Sequence, residues 1–597
     1  MKACFFIGLF IIVAGYFLFS CSRRKETPEK TVEQKLLMQI DSFSALTNQC
    51  RIEALKPLPD EKRLQHLFKE TRLAYKKFEW AAEYFTPAVT RVVNGPPVTE
   101  IEMGGQRVIN PEGLQVIEGF LFPKYNPSKK DELEKQLQLL QTSCGQYKAY
   151  FQNIAIYNWQ LFDACKLEAF RIITLGITGF DNPMSLNNIN ECAVSLQSLQ
   201  TVLANYEGDG NSDNLVGNLT ASVHYLIKSN SFNSFNRAEF ITSYGNKITT
   251  GITRLQKKIK LPVVKYNRLL NQDAETIFNS NAFNINAFGP GLPYLATGQR
   301  IALGRKLFFD PVLSGNQTRT CSSCHQPDKA FTDGLTKNMA VNGKQQLKRN
   351  TPGLINAALQ PFQFYDERVN TLEEQVENVV QNKDEMHGSL QKSAGKLWGE
   401  KTYRFLFSEA YPKTGRSGID PFEIMNALSS YVRSLTFLNS RFDDYMRGDK
   451  SAMSVSEING FNLFMGKARC GTCHYMPLFN GALPPDYIKM DAEVIGVPGN
   501  KHSKLIDTDK GRFNILNFPT LKYAFKTPTL RNAALTAPYM HNGVFSNLEE
   551  VIDFYNKGGG AGLGIKIDNQ TLSPDKLHLT KKETGELIAF IKTLNSN

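Results

Sequence analysis

Two short stretches of this chain combine thiols with an imidazole: Cys321-Ser-Ser-Cys324-His325 and Cys470-Gly-Thr-Cys473-His474. On a turn of helix, positions i, i+3 and i+4 share a face. Both sulfurs and one ring nitrogen of each stretch can therefore meet a single flat ligand. This spacing is that of covalent c-type haem attachment, in which the thiols bond to the porphyrin and the adjacent His ligates the iron. Zinc held by CxxC pairs is the competing chemistry; the His directly after each pair argues against it. Two covalently bound haem c groups are expected, on Cys321, Cys324 and His325 and on Cys470, Cys473 and His474.

The elements that must position these motifs can be read from the rest of the chain. Its 597 residues are 42% hydrophobic and 21% charged, which are globular values, and its length suits several domains. The net charge is +12. No Lys/Arg cluster is interleaved with aromatics, so nucleic acid is not expected as a partner. The charge reads as a solvated surface suited to an acidic redox partner or anionic lipid.

Residues 1–20 read as a lipoprotein signal peptide: Lys2, an apolar run from Ala3 to Phe19, then Ser20-Cys21. Leu18-Phe19-Ser20-Cys21 resembles a lipobox, with Phe19 in place of a small residue, so Cys21 is a candidate lipidation site and membrane anchor. Such a chain is expected in the bacterial cell envelope, facing the periplasm. Residues 21–32 read as a tether. Residues 33–260 carry helical periodicity, as at Leu133, Leu137, Leu139 and Leu140, and are expected to form an all-helical bundle domain. Residues 261–296, with Pro262 and Pro290-Gly291, read as a linker. The fold class expected is mainly α, the bundle being followed by two loop-rich c-type cytochrome domains at 297–450 and 451–597. Cys50, Cys144, Cys165 and Cys192 lie in the N-terminal third; an oxidising compartment permits disulfides among them, with three pairings open.

Four features flank the haem motifs: Gly304-Arg-Lys-Leu-Phe-Phe-Asp-Pro-Val-Leu-Ser314, Arg349-Asn-Thr-Pro352 with Phe364-Tyr-Asp366, Thr536-Ala-Pro-Tyr-Met-His541-Asn-Gly543, and Leu548-Glu-Glu-Val551. Together with the CxxCH pair, over about residues 297–597, they resemble the bacterial di-haem cytochrome c peroxidase/MauG family. More weakly, Gly113-Leu-Gln-Val-Ile-Glu118 resembles the GxHxxE segment of imelysin-like helical proteins, with Gln115 where that family has His. No activity is carried over from that second likeness.

The peroxidase resemblance implies roles. The N-terminal haem is the peroxide site, with a Gln and a Glu ten and twenty residues after an interhaem aromatic. Here these are Gln375, Glu385 and Tyr365, the last standing where the family usually has Trp. Glu385 would shuttle the proton that lets the O–O bond break, and Gln375 would orient peroxide. Many relatives close this haem with a His until reduction frees it. Gln326 to Tyr365 contains no His, so an open haem is expected, with His387 the nearby alternative ligand. The C-terminal haem takes a sixth ligand nineteen residues after Thr536, which is Tyr555, with Met540 as rival. Met suits an electron relay, whereas Tyr suits higher oxidation states. A calcium ion between the haems would use Asn350 and the carbonyls of Thr536 and Pro538.

The function expected is peroxide reduction, with a small redox protein such as a cytochrome c as donor, in a possible homodimer. The alternatives are a MauG-like oxidation of a protein or organic substrate, and a non-enzymatic di-haem electron carrier.

Overall fold

The computed structural model describes residues 27–101, 108–207, 214–229 and 231–596, and its chain is mainly helical. The expected signal peptide and lipidation site Cys21 lie outside the described residues. Among those described, no helix is long and apolar enough to cross a membrane.

The N-terminal helices are α1 (Pro28–Leu55), α2 (Glu61–Lys76), α3 (Glu79–Phe85), α4 (Pro87–Asn94), α5 (Leu114–Leu121), α6 (Lys130–Asn153), α7 (Asn158–Thr174), α8 (Asn188–Leu203), α9 (Leu215–Lys228), α10 (Arg237–Phe240) and α11 (Asn246–Lys258). A two-stranded ribbon, β1 (Glu100–Ile101) with β2 (Val108–Ile109), precedes α5. α1 shows why the segment is helical. Its buried residues Val32, Leu36, Ile40, Phe43, Thr47, Cys50 and Ala54 recur every three or four positions, and this stripe packs on α2 and α6. The tether expected through residue 32 is thus already helical from Pro28, because Val32 belongs to that stripe. Cys50, Cys144, Cys165 and Cys192 are buried free thiols, none in a disulfide.

The bundle is held at its centre by charges. From α2, Lys76 Nζ lies 2.6 Å from both Glu79 of α3 and Asp181 of the α7–α8 loop. Arg171 of α7 grips Asp181 through two hydrogen bonds of 2.9 and 3.0 Å. Arg72 grips Glu191 of α8 at 2.6 and 2.8 Å, and Asn182 also donates to Glu191. Burial opposes ionisation of Asp181, yet Arg171 and Lys76 hold its carboxyl well below the usual range. Gln115 and Glu118 of α5 are committed beside this network: Gln115 donates to the Asn94 carbonyl, and Glu118 accepts from the Ser185 N–H.

Residues 261–296 contain no α-helix, as a linker would, but they are not a free connector. Leu269, Leu270, Ile277, Phe278 and Phe283 are buried. Phe278 packs on Phe442 and Phe283 on Tyr487, while Arg268 donates two hydrogen bonds to the Asp163 carboxylate of α7. The segment is a strap whose apolar residues are spaced too irregularly for a periodicity argument to find.

The first CxxCH lies among α12 (Gly298–Phe308), α13 (Leu372–Gln381), α14 (Leu390–Gly399), α15 (Lys401–Ala410) and α16 (Pro421–Ser434). These share a core of their own running from Leu303 to Leu435. Gly304 lets α12 approach α16: a Cβ there would stand 1.9 Å from the Ala427 carbonyl oxygen. The second CxxCH lies among α17 (Arg441–Arg447), α18 (Val455–Phe464), α19 (Phe513–Leu516), α20 (Leu548–Asn556), α21 (Gly559–Gly562) and α22 (Lys581–Lys592), with a ribbon of β3 (Ala492–Glu493) and β4 (Phe525–Lys526). Here the core is continuous with that of the N-terminal bundle and the strap. The Ala238 N–H of α10 donates to Asn462 of α18, and Asn462 donates back to Asn236.

Substitution Asp181→Ala strips the shared counter-ion from Lys76 and Arg171 in a buried site. It is expected to lower stability by about 3–5 kcal/mol, read as an earlier unfolding midpoint of the full chain in denaturant.

Candidate active site

Each CxxCH forms a single tight turn, Cys321–Ser323 and Cys470–Thr472. In the first, Thr320 and Ser323 cap each other, and the N–H groups of Cys324 and His325 both return to the Cys321 carbonyl at 3.2 and 3.0 Å. The second repeats this from Cys473 and His474 to Cys470, at 3.3 and 2.9 Å. His325 Nδ1 lies 3.0 Å from the Phe331 carbonyl oxygen. His474 Nδ1 lies 3.1 Å from the Pro528 and 3.3 Å from the Phe479 carbonyl oxygens. A carbonyl can only accept, so Nδ1 carries the proton and Nε2 keeps its lone pair for a metal. Burial pulls both imidazoles below their ordinary pKa, His474 to about 4, which favours the neutral ring that binds iron. The two turns fit covalent haem with His325 and His474 as iron ligands.

Glu385 is placed at the first centre. It sits in the turn after α13, where its N–H donates to the Asn382 carbonyl and its Oε1 accepts from Asn382 Nδ2 at 2.8 Å. Arg319 holds its carbonyl at 3.3 Å. Burial raises the Glu385 pKa, against the opposing charges of Arg368 and Arg319 and the Asn382 bond. Burial also pushes the Cys324 thiol up to about 11, with Arg319 opposing and the Glu385 carboxylate adding to it. Glu385 and the first CxxCH therefore share one electrostatic environment.

Gln375 lies on α13, which starts at a Thr371–Glu374 capping box and is pinned to α16 by Glu373, gripped by Arg433 at 2.7 and 2.9 Å. The half-buried Gln375 amide has no hydrogen-bond partner among the described residues. His387 is exposed.

Tyr365 links the two halves. Its hydroxyl reaches Asn350 Oδ1 at 3.4 Å, and its carbonyl accepts from the Lys526 N–H of β4 at 2.7 Å. β4 pairs with β3, whose Glu493 accepts from Cys473 Sγ at 3.7 Å. Thioether formation removes that thiol proton, so this contact marks position only. Asn350 donates from its backbone to the His541 carbonyl at 2.8 Å and from its side chain to the Leu335 carbonyl at 2.8 Å. The carbonyls of Thr536 and Pro538 accept no backbone hydrogen bond among the described residues. They and Asn350 Oδ1 are thus lightly used oxygens of the kind a hard cation takes.

Tyr555 of α20 shares the electrostatic environment of the second CxxCH. Burial raises its phenol well above the ordinary value, and the neighbouring Cys473, Cys470 and Glu493 add to the shift. Met540 lies on a tight turn closed by the Tyr539 N–H on the Phe545 carbonyl at 2.7 Å. Next to it, His541 stacks on Phe525 with ring centroids 3.7 Å apart.

Sequence reading missed several neighbours. Asn382 and Arg319 act on Glu385. Tyr475, directly after His474, donates to Asp491 at 2.7 Å. Burial among Glu493, Glu100 and Glu367 pushes Asp491 up to about 7, with the Tyr475 bond opposing. The N-terminal bundle also covers the second CxxCH. A Cβ on Gly471 would stand 3.5 Å from Thr178 Cγ2, Phe180 packs edge-on against Tyr475 at 5.8 Å, and Arg469 donates to the Pro183 carbonyl. Only the position of Tyr475 beside a CxxCH could have drawn attention in the sequence; the partners are remote.

The family model for di-haem cytochrome c peroxidase matches residues 298–451. The methylamine utilization protein MauG of Methylorubrum extorquens is 32% identical over 300 residues, covering 50% of this chain and 79% of the relative. The cytochrome c551 peroxidase of Pseudomonas aeruginosa is 32% identical over 303 residues, covering 50% of this chain and 79% of the relative. Among solved structures, a MauG-like protein associated with microbial copper homeostasis is 30% identical and covers 50% of this chain and 90% of that one, with a TM-score of 0.44.

A chain in which Cys470 and Cys473 are both replaced by Ala should retain one covalent haem after denaturation, against two in the native chain, as read by intact mass.

Proposed function

Because the chain belongs to the di-haem cytochrome c peroxidase and MauG family of oxidoreductases, we propose that it reduces hydrogen peroxide to water at the His325 centre with electrons passed through the His474 centre. One observation carries this reading: the two centres are unequal. A carboxylate aimed by Asn382, Glu385, is tied to the first through Arg319, two residues before Cys321, whereas a buried phenol, Tyr555, shares the electrostatic environment of Cys470 and Cys473 at the second.

Bound haem iron supplies the electrons and the binding position for peroxide. The chain supplies the proton handling. Glu385 accepts the proton of the inner peroxide oxygen and returns it to the outer one, which leaves as water. Burial gives this carboxyl the proton affinity to take the proton, and Arg368 and Arg319 keep it from holding on. Asn382 aims Oε1. Gln375, with an uncommitted amide, hydrogen-bonds peroxide. The segment from Gln326 to Tyr365 offers no His to close the site, and the exposed His387 is turned to solvent. Tyr365 bridges the centres. Asn350, Thr536 and Pro538 hold a calcium ion that locks the segments meeting there.

A small acidic redox protein such as a cytochrome c is the proposed donor to this basic chain. The N-terminal helical domain is a scaffold that shields the second centre, and Cys21 anchors the chain to a membrane facing the periplasm. A homodimer is in keeping with this reading. Tyr555 also favours a second reading, MauG-like oxidation of a protein or organic substrate. An anionic oxygen ligand would stabilise the oxidised states that such a reaction needs.

Glu385→Gln is expected to keep two haems and lower peroxide turnover by about 10²–10⁴-fold; native turnover would remove Glu385 from the mechanism. Tyr555→Phe should change the low-temperature paramagnetic resonance spectrum of the oxidised second haem, and an unchanged spectrum would pass the ligand role to Met540.

A further inference from the structure

Three phenols stand at or between the two centres, and they differ in what receives their protons. Tyr365 donates to an amide oxygen, Asn350 Oδ1, at the long distance of 3.4 Å. Tyr555 has no hydrogen-bond partner among the described residues. Tyr475 donates to a carboxylate, Asp491 Oδ2, at 2.7 Å. A phenol that loses an electron becomes a strong acid. Its oxidation is therefore far easier when a base already sits on the hydroxyl and can take the proton in the same step. An amide oxygen is too weak a base for this, and the Tyr555 oxygen is assigned to the second haem in the reading above.

The pair is also rigid and sheltered. Tyr475 is 1% exposed. Its N–H is held by the Asn480 carbonyl at 2.8 Å, and the Asp491 N–H by the Gly481 carbonyl at 2.9 Å. The bundle closes over the ring, with Phe180 edge-on and Thr178 beside Gly471. That shelter has its own support, since Phe180 precedes Asp181, which Lys76 and Arg171 clamp. A side-chain radical formed here would be kept from solvent and from other chains.

We propose that Tyr475 and Asp491 form a redox-active pair serving the second centre. When peroxide reacting at the first centre has drawn an electron from the second, Tyr475 replaces that electron, the phenolic O–H bond breaks, and the proton passes to Asp491 Oδ2. A neutral tyrosyl and a protonated carboxyl result. One electron from the donor protein and return of the proton restore the pair. This rests on the peroxide-using reading above and deepens it, for it stores one oxidising equivalent on the protein, at the boundary with the helical domain.

The test is paramagnetic resonance of holoprotein frozen soon after mixing with peroxide, with ring-deuterated tyrosine identifying any tyrosyl by its narrowed signal. The native chain should give a tyrosyl signal. Tyr475→Phe should abolish it, and Asp491→Asn, which keeps the ring, should lower its yield at least tenfold, both variants carrying two haems by intact mass. The proposal is overturned if Tyr475→Phe protein with two haems gives the native signal, or if native protein consumes peroxide without forming a tyrosyl. If native protein does not consume peroxide, the peroxide reading falls by itself. One-electron photo-oxidation of the same holoproteins then decides the pair: a tyrosyl lost in Tyr475→Phe supports it, and one unaffected by either substitution overturns it.

Discussion

Asp181 is the constraint on which much of this molecule turns. A carboxylate buried this deeply is tolerable only because Lys76 and Arg171 meet it from two helices while Arg72, Glu79 and Glu191 complete the balance of charge. Each partner is costly to bury alone, so the network ties α2, α3, α7, α8 and the α7–α8 loop to one another. That loop is also the part of the bundle that lies on the second CxxCH, through Thr178, Phe180 and Pro183. Electrostatics inside the helical domain thus sets what surrounds a haem centre nearly 300 residues later in the chain.

The organisation that results departs from a row of beads. The first haem region has its own core, while the second is apolar-continuous with the bundle and the strap. Proteins place loops over surfaces because a loop in the interior must satisfy its backbone. The strap does so through side chains of both neighbours, with Lys166 donating to the Gln272 carbonyl and Arg447 to that of Phe278. In this arrangement the helical domain is part of the second centre's wall. The two haem regions instead meet through Tyr365, Asn350 and β4, where contacts are polar and oxygen-rich.

The same inequality runs through the chemistry. At the first centre a carboxylate is aimed by the Asn382 amide and flanked by arginines; at the second, phenols and acids lie near the thiols. Burial raises the proton affinity of Glu385 and Asp491 alike, but their partners differ: arginine charges oppose the shift at Glu385, and acidic neighbours reinforce it at Asp491. Acids and phenols beside one CxxCH, and a carboxylate flanked by arginines beside the other, make an inequality that two identical motifs do not announce.

By itself, the sequence determined the cofactor chemistry and the helical class. A CxxCH turn needs only five consecutive residues to present its two sulfurs and ring nitrogen, and a buried helix stripe needs only its own period, so both are local and legible. Offsets taken from the family resemblance also singled out Glu385 and Tyr555 as candidates, since each sits a set distance from a recognisable segment. What only the tertiary structure decided is everything that depends on residues distant in sequence meeting in space. The charge network of Lys76, Arg171 and Asp181, the strap made from an apparent linker, the Tyr475–Asp491 bond and the cover that Phe180 puts on the second centre are all of this kind. Their members carry no shared period and no common motif, and they become partners because burial leaves each polar group only the others to satisfy it.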